Sequence, residues 1–224
     1  MNVQQCHGIV LTSSVYKEAD KIITLLTAEK GIMHAVVKGA LKPKAKQAYL
    51  AQPFCFAQFE YVQRGGFATI TGATEVQLFP ELMHNLQVYV YGSMALEVAK
   101  IVGLENVPQP ELFVQLVTAI AKLAKQENVT ITMVTYFRHV LEISGYALQI
   151  YPTKGAEHYA FTHHNGEMKA QSNGAFSRNQ VMALSGYSAK LTLTEEQSLL
   201  KNLIQYFEEK TATKLKSIQG YELF

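Results

Sequence analysis

Cysteine is nearly absent from this 224-residue chain. Cys6 and Cys55 are the only two, and no other residues extend them into a metal-ligand spacing. Neither a disulfide framework nor a cysteine-based zinc site is therefore supported, and both thiols are expected to be buried. No apolar run approaches the ~20 residues needed to span a bilayer, and no basic, apolar, small-residue leader opens the sequence. A cytoplasmic, nucleoid-associated protein without a membrane partner is the expectation. There is no glycine-rich phosphate loop, no nucleophile elbow and no helical His-Glu zinc motif, so no enzyme and no cofactor are expected. Charge is scarce too: charged residues make up 17% and the net charge is only +2, which argues against a highly basic coat protein.

What is present is a hydrophobic content of 48%, enough for a compact chain with a substantial core. The small net charge hides an asymmetry. Residues 1–80 carry eight Lys/Arg against five Asp/Glu, whereas residues 81–224 carry twelve against thirteen. The excess centres on Lys38-Gly39-Ala40-Leu41-Lys42-Pro43-Lys44-Ala45-Lys46.

That segment interrupts a series of short β-rich runs: Cys6 to Leu11, Lys21 to Thr27, Ile32 to Lys38, Phe54 to Tyr61 and Ala68 to Val76. A polar loop, Thr12 to Asp20, is expected between the first two. Glu29-Lys30-Gly31 and Arg64-Gly65-Gly66 read as tight turns. Five strands with a longer connection after the third match an oligonucleotide-binding (OB) fold barrel over residues 1–80. From Pro80 the hydrophobic period becomes helical, giving an α+β multidomain chain whose residues 81–224 form an all-α domain. Pro110 fits a first helical turn and Thr130 an N-cap. Ser177-x-x-Gln180 and Thr194-x-x-Gln197 read as capping boxes. Within residues 151–172, Asn165-Gly166 predicts a hairpin with a two-residue turn.

A basic connection on a small barrel is a common way to hold nucleic acid, because lysines neutralise phosphates along a curved sheet. The candidate DNA-binding residues are Lys17, Lys21, Lys38, Lys42, Lys44, Lys46, Arg64 and Tyr49. A solvated loop is the plain alternative for the lysines. Tyr16, Tyr49 and Phe67 are candidates to stack bases, with a core role as the alternative. His158, His163 and His164 offer a poor metal set, since the adjacent pair would face opposite sides of a strand.

In order and spacing, Gly8-Ile9-Val10-Leu11, Tyr16-Lys17-Glu18-Ala19-Asp20, Thr27-Ala28-Glu29-Lys30-Gly31, Lys38-Gly39-Ala40 and Gln52-Pro53-Phe54 resemble the bacterial recombination mediator RecO family. A weaker likeness continues through Leu141-Glu142-Ile143-Ser144-Gly145-Tyr146, Leu184-Ser185-Gly186 and Lys214-Leu215-Lys216-Ser217. The resemblance implies an OB barrel followed by a helical domain. It implies a DNA repair and recombination mediator that binds single- and double-stranded DNA, anneals complementary strands, and helps load RecA onto strands coated by single-strand-binding protein. Its implied partners are RecR and the acidic, apolar-ended tail of that coat protein. Lys122 and Arg138 are the candidate rim cations of a tail pocket. Many members carry a four-cysteine zinc module after the position of Gly145, and this chain has no cysteine there, so no zinc is carried over. An RNA- or ribosome-associated OB protein is the competing reading, and a structural adaptor whose barrel binds protein is a third.

Overall fold

The computed structural model describes residues 2–64 and 66–221, with the side chain of Arg64 outside that set. Strands β1 (Gln4–Tyr16), β2 (Asp20–Thr27), β3 (Gly31–Val37), β4 (Phe56–Arg64) and β5 (Phe67–Gln77) close into a barrel in the order β1-β2-β3-β5-β4. This is the expected five-stranded barrel. Its interior is filled by Val10, Ile23, Leu25, Val37, Leu50, Phe59 and Tyr61, all essentially buried.

The first connection is shorter than the sequence predicts. Thr12 to Tyr16 continue β1 and pair with β2 from Thr12↔Thr24 to Tyr16↔Asp20, across a bulge after Val10. Their polarity reflects a solvated strand face instead of a loop. The β2–β3 turn is closed by one side chain: Thr27 Oγ1 donates to the Gly31 carbonyl (2.9 Å) and accepts from the Lys30 amide (3.1 Å). Gly31 there has φ +64°, and an added Cβ would lie 2.2 Å from the Val107 carbonyl oxygen and 2.4 Å from that of Leu104. Residues 104–106 run beside β3, with Ile32 N donating to the Leu104 carbonyl (2.9 Å) and Asn106 N to that of Ile32 (3.3 Å).

Helices α1 (Leu86–Val102) and α2 (Pro110–Ala124) pack beside this barrel, Phe56 meeting Phe113 and Phe54 meeting Tyr89. Strand gives way to helix between Gln77 and Leu86, but the first compact unit runs to Lys125 and the second spans 126–224. Pro110 sits in the first turn of α2 as its fixed φ favours.

The second unit contains α3 (Val129–Ile143), β6 (Gln149–Ile150), β7 (His158–Thr162), β8 (Glu167–Ala170), β9 (Phe176–Ser177), α4 (Arg178–Leu184) and α5 (Leu193–Thr211). Asn128, in the left-handed region, precedes α3, while Thr130 is buried inside it and does not cap it. The hairpin is present as β7 and β8, extended by β6 and β9 into a four-stranded sheet. Its last pair is Thr162↔Glu167, so the turn has four residues, 163–166, instead of two. His163 and His164 consequently lie in that turn and not on a strand. Tyr159 and Met168 are buried, and Phe161 packs edge-on to Phe176 and Tyr206. These contacts do for the sheet what ligand bonds do for a metal module.

Ser177 and Gln180 form the expected capping box. The box of α5 is Thr192 with Glu195, two residues before the predicted pair. A carboxylate at the third position is a stronger acceptor than an amide and suits the positive helix end. Ser177 Oγ also donates to Glu195 (2.6 Å), which joins the two helix starts. That hydrogen bond first, and the Thr192 amide second, hold the Glu195 carboxyl below its ordinary value. A group so depressed stabilises the folded state above about pH 4.5, and the contribution is lost as pH falls through the depressed value. Glu195→Gln should therefore unfold with less pH dependence below about pH 5 in acid-titrated thermal melts. A parallel pH profile would remove this role from Glu195.

Candidate nucleic-acid interface

Two connections meet at one end of the barrel. Lys17, exposed and at φ +56°, turns β1 into β2, and its ammonium lies 5.2 Å from the Tyr16 ring centroid. Lys21 pairs with Val37 on β3, so Lys38 follows at the same level. Asp20 Oδ1 accepts from the Gly39 amide at 2.7 Å, and the Leu41 amide donates to the Ala19 carbonyl at 3.0 Å. These bonds tie the connection that carries Lys38 and Lys42 to the one that carries Lys17 and Lys21.

The lysine segment is anchored and is not a loose connection. Ala40 in its middle is buried, and Leu50 and Ala51 beyond it are fully buried in the barrel core. Successive turns close it, with the Lys42 amide donating to the Gly39 carbonyl and the Ala45 amide to that of Lys42, both at 3.0 Å. Gln47 reaches the Thr71 carbonyl on β5 at 3.3 Å. Lys42, Lys44 and Lys46 project from this scaffold as exposed side chains, with Tyr49 37% exposed on the short turn Ala48–Ala51.

None of the six lysines forms a salt bridge with a described carboxylate. The barrel's acids are engaged elsewhere: Glu29 and Glu75 flank His7 at 3.2 and 3.7 Å, and Glu60 accepts from Gln5 at 3.2 Å. Glu18 remains exposed beside Lys17.

Arg64 lies farther off. It pairs with Phe67, and β5 starts beside Ala35 of β3, so this turn is level with His34. Phe67 stacks edge-on against His34 at 6.3 Å. That is four residues, about 13 Å, along β3 from Lys38. The Arg64 side chain itself lies outside the described residues.

The two tail-pocket candidates fall in different units. Lys122 is exposed in the last turn of α2, where a cation suits the helix end. Arg138 on α3 lines a cavity of about 430 Å³ with Ile131, Val134, Leu184 and Tyr187. Arg138 Nη1 donates to Glu142 and Nη2 to His139 Nε2, both at 2.8 Å. His139 Nδ1 in turn donates to the Thr135 carbonyl at 2.9 Å, which leaves Nε2 as the acceptor.

Sequence reasoning missed the Asp20 bond and the burial of Ala40. Both depend on partners far along the chain, which no local pattern signals.

Residues 146–172 contain no cysteine, and among the described residues no group of three or more His, Cys, Asp or Glu is placed to hold a metal. Elemental analysis of the purified chain should find no stoichiometric zinc, and chelator should leave its helical signal unchanged. One zinc per chain lost with that signal would contradict this. Burial pushes the Cys6 and Cys55 thiols up to about 12. Both should resist a thiol reagent until the protein is unfolded, since the thiolate is the nucleophile. Among the described residues, no helix is long and apolar enough to cross a membrane.

The sequence profile described as "Recombination protein O N terminal" matches residues 1–79, and that described as "Recombination protein O C terminal" matches residues 83–151. Curated relatives called DNA repair protein RecO include one from Acetivibrio thermocellus, 27% identical over 66% of this chain and 59% of its own. Another, from Synechococcus sp., is 32% identical over 64% of this chain and 54% of its own. A third, from Bacillus subtilis, is 30% identical over 49% and 43%. The chain thus spans about half the length of the curated relatives it matches. The barrel, the helices after it and the two successive profile matches agree, and the chain belongs to the RecO family.

Proposed function

We propose that this chain is a DNA repair and recombination mediator that works by binding, making and breaking no covalent bond. Its barrel binds single- and double-stranded DNA, and the bound strands anneal with their complements. With RecR it helps RecA load onto strands coated by single-strand-binding protein. The observation that carries the reading is the set of six lysines, without salt bridges among the described residues, on two hydrogen-bonded connections of a closed barrel. Phosphates recruit such a surface whatever the base sequence. Relatives called DNA repair protein RecO support DNA over RNA as the ligand. Its site of action is the cytoplasmic nucleoid.

The test is a titration of labelled single-stranded DNA at several salt concentrations, followed by mixing with the complementary strand in the absence of ATP. Salt-sensitive binding and ATP-independent annealing are expected. Preferential binding of folded RNA would turn the reading to the ribosome-associated alternative.

The tail of the single-strand-binding protein is assigned to the second unit. An acidic peptide with an apolar end and a free carboxylate needs an apolar cavity with a cation beside it, and the cavity at Arg138 has both. The full chain should bind such a peptide with a micromolar dissociation constant, about −8 kcal/mol. Arg138→Ala should weaken it about tenfold, the loss expected for one charge-assisted bond. Fluorescence anisotropy with a peptide lacking the terminal aromatic residue supplies the control. Equal binding of both peptides would reduce the interaction to unspecific charge attraction.

A further inference from the structure

We propose that Asp20 is a positioning residue for polyanion binding: its bond to the Gly39 amide joins two basic connections into one surface. The proposal rests on the DNA-binding reading above. By charge alone Asp20 is misplaced, since it opens β2 amid Lys17, Lys21, Lys38 and Lys42 and would repel phosphate. Its part-buried carboxylate faces inward to a backbone donor at 2.7 Å, a length typical of a charge-assisted bond. Gly39 has φ +68°, a left-handed conformation that glycine adopts without the penalty a side chain would bring. The Ala19 carbonyl holds Leu41 two residues on. Together these contacts hold the connection of Lys38 and Lys42 to that of Lys17 and Lys21, so that a bound strand meets both connections at once.

The consequence runs against simple electrostatics, because removing this acidic side chain and its acceptor oxygen weakens binding to a polyanion. Asp20→Ala in the full chain should lower affinity for a labelled oligothymidylate about tenfold at roughly 0.1 M salt, with the log-log salt slope lower by about one unit or more. Asp20→Asn keeps an acceptor oxygen while removing the charge, and should hold the full slope with equal or tighter binding. Asp20→Glu keeps the charge but displaces the oxygen by a methylene, and should lose slope as the alanine variant does. Exchange of the Gly39 amide should quicken at least tenfold in the alanine and glutamate variants while Val10 and Ile23 stay protected.

Tighter binding by both the alanine and asparagine variants would make Asp20 a mere opposing charge and overturn the proposal. An unchanged slope in the glutamate variant would overturn it as well, even if the alanine variant does not fold. The joint replacement of Lys42, Lys44 and Lys46 separates the two claims. If that leaves the slope unchanged, the DNA-binding reading fails; if it lowers the slope while Asp20→Ala does not, only the role of Asp20 fails.

Discussion

Replacing Lys42, Lys44 and Lys46 together by alanine should lower the log-log salt slope for DNA binding by about two to three units, at roughly 0.7–0.9 per phosphate contact. Relative to a 1 M reference, affinity at 0.1 M salt then falls roughly 100- to 1,000-fold, the largest effect expected of any change to this surface. The loss should be the same for every base sequence, because phosphate contacts position a strand without reading it. Thermal stability should hold, since the segment is kept in place by Ala40, Leu50, Ala51 and the Asp20 carboxylate, none of which is altered. Titrations at several salt concentrations measure the slope. An unchanged slope would return the segment to the status of a solvated connection.

The second large effect concerns Gly31. Alanine there must adopt φ +64° and place its methyl within 2.4 Å of two carbonyl oxygens, those of Val107 and Leu104. Backbone strain and overpacking each cost about 1–3 kcal/mol, so a total near 3–5 kcal/mol is expected. That is a large share of the ~5–15 kcal/mol that holds a domain folded. Gly39→Ala is the informative comparison. Gly39 also has positive φ, but its added methyl meets only the flexible Lys42 side chain, at 3.6 Å, and about 1 kcal/mol is expected. Urea denaturation should separate the two midpoints by about 1 M or more. Similar midpoints would show that residues 104–107 yield easily and do not brace the barrel.

The barrel was legible because alternating runs, turn residues and one long basic connection all pointed to it. Its first connection was misjudged because Thr12, Ser13 and Ser14 look like loop residues, and only pairing with β2 reveals their strand. The capping box of α5 was displaced for a different reason. Thr192-Glu195 and Thr194-Gln197 both fit the spacing, and a bond to Ser177, far along the chain, goes with the former. Of the candidate interface, the lysines were readable and their assembly was not. Nothing local to Asp20 shows that its partner is the amide of Gly39. Arg64 shows the converse: its charge groups it with the lysines, yet it ends β4 level with His34. Arg138 was singled out as a cation suited to a pocket rim, but the cavity beside it joins residues 131–138 to 183–189, which no periodicity connects.

The strip of backbone from Leu104 to Asn106 along β3 has a consequence for the chain during its synthesis. All five strands have emerged by residue 77, yet the segment that bonds to Ile32 and the helix that covers Phe56 are made later. At ~5–20 residues per second, residues 81–125 take about 2–9 s to appear. Within that interval the nascent barrel carries an open β edge until residues 104–106 are made and uncovered aromatic rings until α2 is made, the features that promote wrong pairing between chains. Slow translation through residues 81–125 would prolong this exposure.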